Sequence, residues 1–155
     1  MKTRLAQILI VAFFVLLTCA PAGTATQSQK FTSLTATAKG QGTITVSDPQ
    51  AAPNKRAISS IVVTLKEGGE AEIVVITDMQ LFATGRWTAP SDPTKGISLK
   101  ITGGVVSGNA KGSGKLFLRS DGKSIDRLNF EVKSTARSKV TVEFVAEKQS
   151  TSAAQ

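Results

Sequence analysis

The 155-residue sequence contains no histidine and no tyrosine, and it has a single cysteine, Cys19. Without histidine the chain lacks the base of Ser-His-Asp and Cys-His sites, and it lacks a common ligand of zinc and haem iron. Its Gly-x-Gly elements lie inside strand-like patterns with no helix after them, so a phosphate-cradling loop is not indicated. We therefore expect no enzyme activity, no cofactor and no metal site.

The first residues have the order of a secretory signal. Lys2 and Arg4 precede an apolar run over residues 5–17, which is shorter than the ~20 residues that a membrane-spanning helix needs. Small residues follow in residues 18–25 (TCAPAGTA). This order predicts a signal peptide over residues 1–25 and a periplasmic or secreted protein.

The signal also allows other outcomes. We expect the mature chain to begin between Gly23 and Gln27, and it would then contain no thiol. The sequence Leu-Leu-Thr before Cys19 resembles a bacterial lipoprotein box, so the alternative is a lipoprotein anchored to the membrane through Cys19. A retained N-terminal anchor helix is a further alternative.

Basic residues outnumber acidic ones by 19 to 11. Loss of Lys2 and Arg4 with the signal would leave 17 − 11 = +6. Such a charge favours anionic partners, and for an exported protein these are an anionic envelope polymer or a membrane surface. Nucleic acid is not expected, and the alternative without any partner is a solvated basic surface.

Beyond residue 30, apolar residues alternate with polar ones, which predicts strands and no helix. Turn dipeptides separate several of these runs, at residues 68–69, 103–104 and 121–122. The strands that we predict are 33–46, 57–66, 71–77, 80–88, 97–102, 105–119, 125–133 and 139–147.

These strands predict one all-β domain over residues 31–148. It has about eight antiparallel strands, arranged as a meander-type barrel or as a two-sheet β-sandwich. Two Pro-containing polar segments, 47–56 and 89–96, are predicted loops, and residues 149–155 (QSTSAAQ) form a predicted disordered tail.

Two hairpin registers agree with an apolar inner face. With residues 103–104 as a two-residue turn, Ile101 lies opposite Val106. In the last hairpin Phe130 lies opposite Val142, and Leu128 lies opposite Phe144. The predicted core consists of Ile61, Val63, Leu65, Ile73, Val75, Leu81, Trp87, Leu99, Ile101, Leu116, Leu118, Leu128, Phe130, Val132, Val140, Val142 and Phe144.

An internal repeat of a three-strand unit is also predicted. Residues 38–42 (AKGQG) and 110–114 (AKGSG) match, and similar alternating strands follow each segment in the same order. Both segments place small residues on the inward face. Sharp coiling of a barrel strand would require them, and a groove that needs bare backbone is the alternative.

Candidate contact residues lie on outward strand positions. Lys111, Lys115 and Arg119 alternate on one strand, about 13 Å apart for four residues, with Phe117 among them and Lys100 diagonal to the row. Phe82 and Arg86 form a second candidate face, aromatic and basic. For both faces the alternative is an ordinary solvated strand surface.

The leading expectation is an exported, non-enzymatic β-module of the envelope or the extracellular space, with a binding or structural role. One alternative is a lipocalin-like carrier of a small apolar ligand inside the barrel. Another is an exported hydrolase, which would need converging carboxylates such as Asp78 and Asp126.

Overall fold

The structure, a computed structural model, describes residues 33–92, 95–104, 110–133 and 137–148. These residues form eight antiparallel strands in a closed barrel, where each strand pairs with the next and the last pairs with the first. The strands are β1 (Leu34–Asp48), β2 (Ala51–Leu65), β3 (Glu70–Ile76), β4 (Gln80–Thr88), β5 (Ile97–Gly104), β6 (Lys111–Leu118), β7 (Ile125–Lys133) and β8 (Lys139–Ala146). The predicted all-β meander barrel is confirmed, and the sandwich alternative is wrong.

The predicted signal peptide, with Cys19, and the predicted tail lie outside the described residues. Within the described ranges, no helix is long and apolar enough to cross a membrane.

The barrel interior is built from alternate residues of every strand. Of the predicted core, all side chains are buried except Leu81, Trp87 and Leu118, which are half-buried and pack against the others. Further apolar side chains complete the interior, namely Ala38, Ile44, Ile58, Ala71, Ala83, Ile97, Ala110, Ile125 and Ala146. A barrel of eight strands has an interior just wide enough for side chains to fill. No polar or charged side chain among the described residues is buried.

Glycines on the inward face let neighbouring strands approach closely. A Cβ at Gly42 would collide with the carbonyl oxygen of Glu143 on β8, and a Cβ at Gly112 would collide with that of Glu131 on β7. Phe144 on β8 lies opposite Gly42 and is buried. The small inward residues therefore have a structural cause, the coiling and closure of the barrel, as the sequence favoured.

The predicted loop over residues 47–56 is wrong. β1 extends to Asp48 and β2 begins at Ala51, so that the turn is confined to residues 49–50. The pairing shifts between Val46 and Asp48, and Pro53 lies in β2 within this irregularity. Proline cannot donate to a ladder, and an irregular pair is where a strand tolerates it.

The predicted turn at residues 103–104 is also wrong. Both glycines belong to β5, where Gly104 pairs with Ala83 of β4, and Ile101 pairs with Gly112 rather than Val106. Gly104 has a φ of 83°, a conformation that glycine adopts without a Cβ penalty. The predicted strand 105–119 begins at Lys111 within the described residues, and residues 105–109, with Val106 and Gly108, lie outside them.

The two copies of the predicted repeat do not pair alike. In β6–β7, Gly112 lies opposite Val132, and their counterparts in the first copy are Gly40 and Leu65. Leu65 instead pairs with Leu34, which lies six residues before Gly40. The similarity of the two segments therefore does not extend to the register of the sheet. By contrast, the predicted register of the last hairpin is confirmed pair by pair.

Candidate anion-binding wall

The outer face of β5, β6 and β7 collects lysine side chains, because strand alternation turns their neighbours inward. Lys100 lies opposite Ser113, so that Lys111 and Lys115, two residues to either side of Ser113, are its diagonal neighbours. Diagonal pairs on one face are about 7–8 Å apart. We call Lys100, Lys111, Lys115 and Lys133 the basic wall.

A row of lysines crosses the sheet at one end of the basic wall. Lys111 lies directly opposite Lys133, and Lys133 lies directly opposite Lys139. Lys139 makes an ion pair with Glu131, with Nζ 2.6 Å from the carboxylate oxygen. None of the ion pairs within the described ranges involves Lys111 or Lys133. The row therefore holds two exposed lysines without a carboxylate partner there.

Glu131 is the carboxylate nearest to this row in the ladder. Its hydrogen bond with Lys139 is the main cause that lowers its pKa, and the charges of Lys139 and Lys133 lower it further. The carboxylate is therefore ionised at neutral pH, and Lys139 engages it. Glu131 therefore offsets part of the positive charge of the row, but not all of it.

The other candidates on β6 are partly engaged by neighbours. The ammonium of Lys115 donates a hydrogen bond to the Ser98 hydroxyl at 3.0 Å. Arg119 lies just beyond the end of β6, and its guanidinium donates to the carbonyl oxygen of Glu147. In the row predicted along β6, the side chain that is available to bind a ligand is therefore mainly Lys111.

Phe117 does not offer a bare ring to solvent. The guanidinium carbon of Arg127 lies 4.2 Å from its ring centroid, which is a cation–π contact. Gly96 lies close beside the same ring. Phe117 therefore anchors Arg127 on the outer surface, and its predicted apolar contact with a ligand would first require Arg127 to move.

The second candidate face lies on β4, next to the basic wall. Arg86 pairs with Lys100 across β4–β5, and its guanidinium donates to the carbonyl oxygen of Gly68 at 2.8 Å. Phe82 is 55% exposed and lies opposite Val74 of β3. Arg86 thus borders the basic wall, whereas Phe82 lies beside Val74 of β3, which in turn lies opposite Val62 of β2.

Sequence reasoning missed Lys133 and Arg127 as members of this surface. Both have outward parity on β7, which the alternation of that strand already indicates. What the sequence did not provide was the β6–β7 register, which brings Lys133 beside Lys111 and Arg127 beside Phe117. The sequence of each strand therefore indicates which side chains point outward. It does not indicate which residues of neighbouring strands lie side by side.

The two carboxylates considered for a hydrolase, Asp78 and Asp126, do not converge on a common point. Asp78 follows β3 and forms an ion pair with Arg56 at 2.8 Å, whereas Asp126 is the second residue of β7. In an up-and-down barrel the β3–β4 and β6–β7 turns lie at opposite ends. In the described parts of the chain, no group of three or more Asp, Glu, His or Cys could hold a metal ion.

Trp87 is half-buried near the end of β4. It lies opposite Leu99, and its indole N–H donates to the carbonyl oxygen of Lys66 at 2.9 Å. The ring therefore packs against the core, as predicted, while its polar edge reaches the β2–β3 turn.

Comparison with known proteins gave no match to any family model, curated protein or solved structure.

Proposed function

We propose that this chain is an exported, non-enzymatic β-barrel module that binds an anionic envelope polymer through the basic wall. The observation that carries the proposal is the facing pair Lys111 and Lys133, neither of which has an ion pair among the described residues. Like charges directly opposite each other destabilise a sheet, so an arrangement of this kind needs another reason. A bound anion supplies one, because it lowers the repulsion between the two ammonium groups.

The physics of exposed charges favours a polymer over a single small anion. An exposed ion pair contributes only ~0.2–1 kcal/mol, and charges further apart than ~8 Å are largely screened at physiological salt. A polymer meets several lysines of the basic wall at once, and linked contacts raise the overall affinity without any one being strong. The binding is therefore weak at each contact and sensitive to salt.

The alternatives have less support. A carrier of a small apolar ligand would need interior space, yet the inward positions hold large buried side chains such as Ile73, Leu116 and Phe144. The carboxylates considered for a hydrolase, Asp78 and Asp126, belong to opposite ends of the barrel. A membrane surface remains the competing anionic partner, and the experiment below distinguishes it.

The test compares two doubly charge-reversed proteins for retention on an acidic polysaccharide and on anionic vesicles. Lys111→Glu/Lys133→Glu alters the basic wall. Lys39→Glu/Lys123→Glu is the matched control, because both lysines are exposed, lie away from the basic wall and give the same change in net charge. Circular dichroism verifies that both variants keep the β fold.

We expect the basic-wall variant to lose retention on the polysaccharide at low salt, with the control close to the parent. Raising the salt should remove retention of the parent. Equal losses in both variants would mean that only net charge matters, and the proposal would fail. Retention on vesicles alone would assign the wall to a membrane surface instead.

A further inference from the structure

We infer that Lys111 and Lys133 form a clamp for a phosphomonoester group. The inference rests on the proposed function and specifies the chemistry of the anion that the basic wall selects. Phosphomonoesters occur on phosphorylated sugars and on some lipid headgroups, and the experiment separates these sources.

The charge of the site favours a ligand with two negative charges. Lys111, Lys133 and Lys139 lie side by side across β6, β7 and β8, and Glu131 is ion-paired with Lys139. Lys111, Lys133, Lys139 and Glu131 sum to 3 − 1 = +2, and Lys100, diagonal to Lys111, adds further positive charge from β5. A phosphomonoester carries about −1.5 to −2 at pH 7 and neutralises most of this charge. A carboxylate or a phosphodiester carries a single negative charge and leaves the site more positive.

The spacing of the strands allows both lysines to contact the same ligand. Neighbouring strands lie about 4.8 Å apart, and directly facing residues have Cα atoms about 4.5–5.5 Å apart. Two lysine side chains on the same outer face can therefore bring both ammonium groups to a single phosphate group. Each ammonium is a compact charge with three donors, and a phosphomonoester has three strong acceptor oxygens for the two to share.

Charged side chains from three strands surround the clamp. Lys100 faces it from β5, Glu131 from β7 and Lys139 from β8. Lys139 and Lys133 lower the pKa of Glu131, so that this carboxylate keeps its charge well below neutral pH. The sequence has no histidine, which is the side chain that ordinarily changes charge between pH 5 and 8.

Because the sequence has no histidine, the pH dependence of binding tests for a phosphomonoester. Between pH 5.5 and 7.5 a phosphomonoester, whose second pKa is about 6, approaches two negative charges, and the protein has no histidine that could change charge in the same window. Its binding should therefore strengthen as the pH rises, by about threefold if one extra exposed contact is gained. Binding of a carboxylate or a sulfate has no such dependence in this window.

The experiment titrates the ¹⁵N-labelled protein with glycerol 3-phosphate at pH 5.5 and 7.5 and follows the backbone amides of residues 111 and 133 by NMR. Acetate is the matched carboxylate ligand. Lys111→Gln/Lys133→Gln removes the clamp, and Lys39→Gln/Lys123→Gln is the control with the same loss of charge. We expect tighter phosphate binding at pH 7.5 for the parent and the control, and no such gain for the clamp variant.

Macromolecular probes then separate the sources of phosphate and the two proposals. Phosphorylated dextran is compared with carboxymethyl dextran of equal charge density, and phosphatidic acid vesicles with phosphatidylglycerol vesicles. Stronger retention on phosphorylated dextran supports a phosphorylated polymer, and stronger retention on phosphatidic acid alone supports a lipid phosphate. Equal, pH-independent retention on both dextrans would overturn the clamp while leaving the polymer proposal intact. Binding of glycerol 3-phosphate without retention on either dextran would keep the clamp and refute the polymer proposal.

Discussion

Truncation of Phe130 to alanine should lower the free energy of unfolding by about 3–5 kcal/mol. Phe130 is 3% exposed in the barrel interior and lies between Gly114 of β6 and Val142 of β8. Gly114 has no side chain to move into the space that the ring would leave. The cavity should therefore collapse little, which places the expected loss toward the upper part of the range.

The magnitude is large compared with the stability of such a domain. Domains of this size are stable by about 5–15 kcal/mol, so Phe130→Ala should remove a substantial share of the total. At roughly 4 °C per kcal/mol for a chain of this length, the melting temperature should fall by about 12–20 °C.

Urea denaturation of the parent, Phe130→Ala and Phe82→Ala measures the effect. Phe82 is the matched control, since it is 55% exposed and its truncation should change stability by only about 0.5 kcal/mol. Phe130→Leu serves if the alanine variant does not fold, with an expected intermediate loss. A loss below about 1 kcal/mol for Phe130→Ala would refute the inward register of β7 against β6 and β8.

Three further predictions follow from other parts of the molecule. Gly112→Ala should destabilise by about 1–3 kcal/mol in the same denaturation assay, because its Cβ would collide with the Glu131 carbonyl; an unchanged midpoint would contradict this close approach. The Ser124 hydroxyl, and then the backbone N–H groups of Ser124 and Lys123, lower the pKa of Asp121 to about 2. The resulting stability is present above the unfolded pKa of ~3.9 and is lost as the pH falls toward 2, so the advantage of the parent over Asp121→Asn should shrink between pH 5 and 2. Finally, intact mass of the protein from its native host should give an N-terminus between Gly23 and Gln27, and a diacylated Cys19 would prove the lipoprotein alternative.

Much of the fold could be predicted because burial in a barrel has a period of two. The last hairpin shows why: Val132, Phe130 and Leu128 match Val140, Val142 and Phe144 one for one, and any slip would turn apolar side chains outward. The inward glycines added evidence for a coiled barrel over a flat sheet.

The parts that failed depend on information that local pattern does not contain. A Gly-Gly pair is compatible with a tight turn and equally with an irregular strand. The pairing of Gly104 with Ala83 of β4 shows that this pair belongs to a strand. Closure through β1 and β8 joins the two ends of the domain, so no neighbouring residues in the sequence indicate it.

The candidate site was predictable in composition but not in shape. Alternation indicated that Lys111 and Lys115 point outward, which led to a row along β6. The β6–β7 register instead places Lys133 beside Lys111, and the Ser98 hydroxyl engages Lys115. The available charge therefore extends across the strands, and only the pairing between strands could reveal it.

We propose that the basic wall, and not another face of the barrel, receives an anionic polymer. The most direct measurement is an NMR map of backbone amide shifts in the ¹⁵N-labelled protein on addition of a short acidic oligosaccharide at low salt. We predict the largest shifts around Lys100, Lys111 and Lys133, and little change around Val62 and Val74 on the far strands β2 and β3. Shifts centred on β2 and β3, or no shifts at any ratio of ligand to protein, would contradict the proposal.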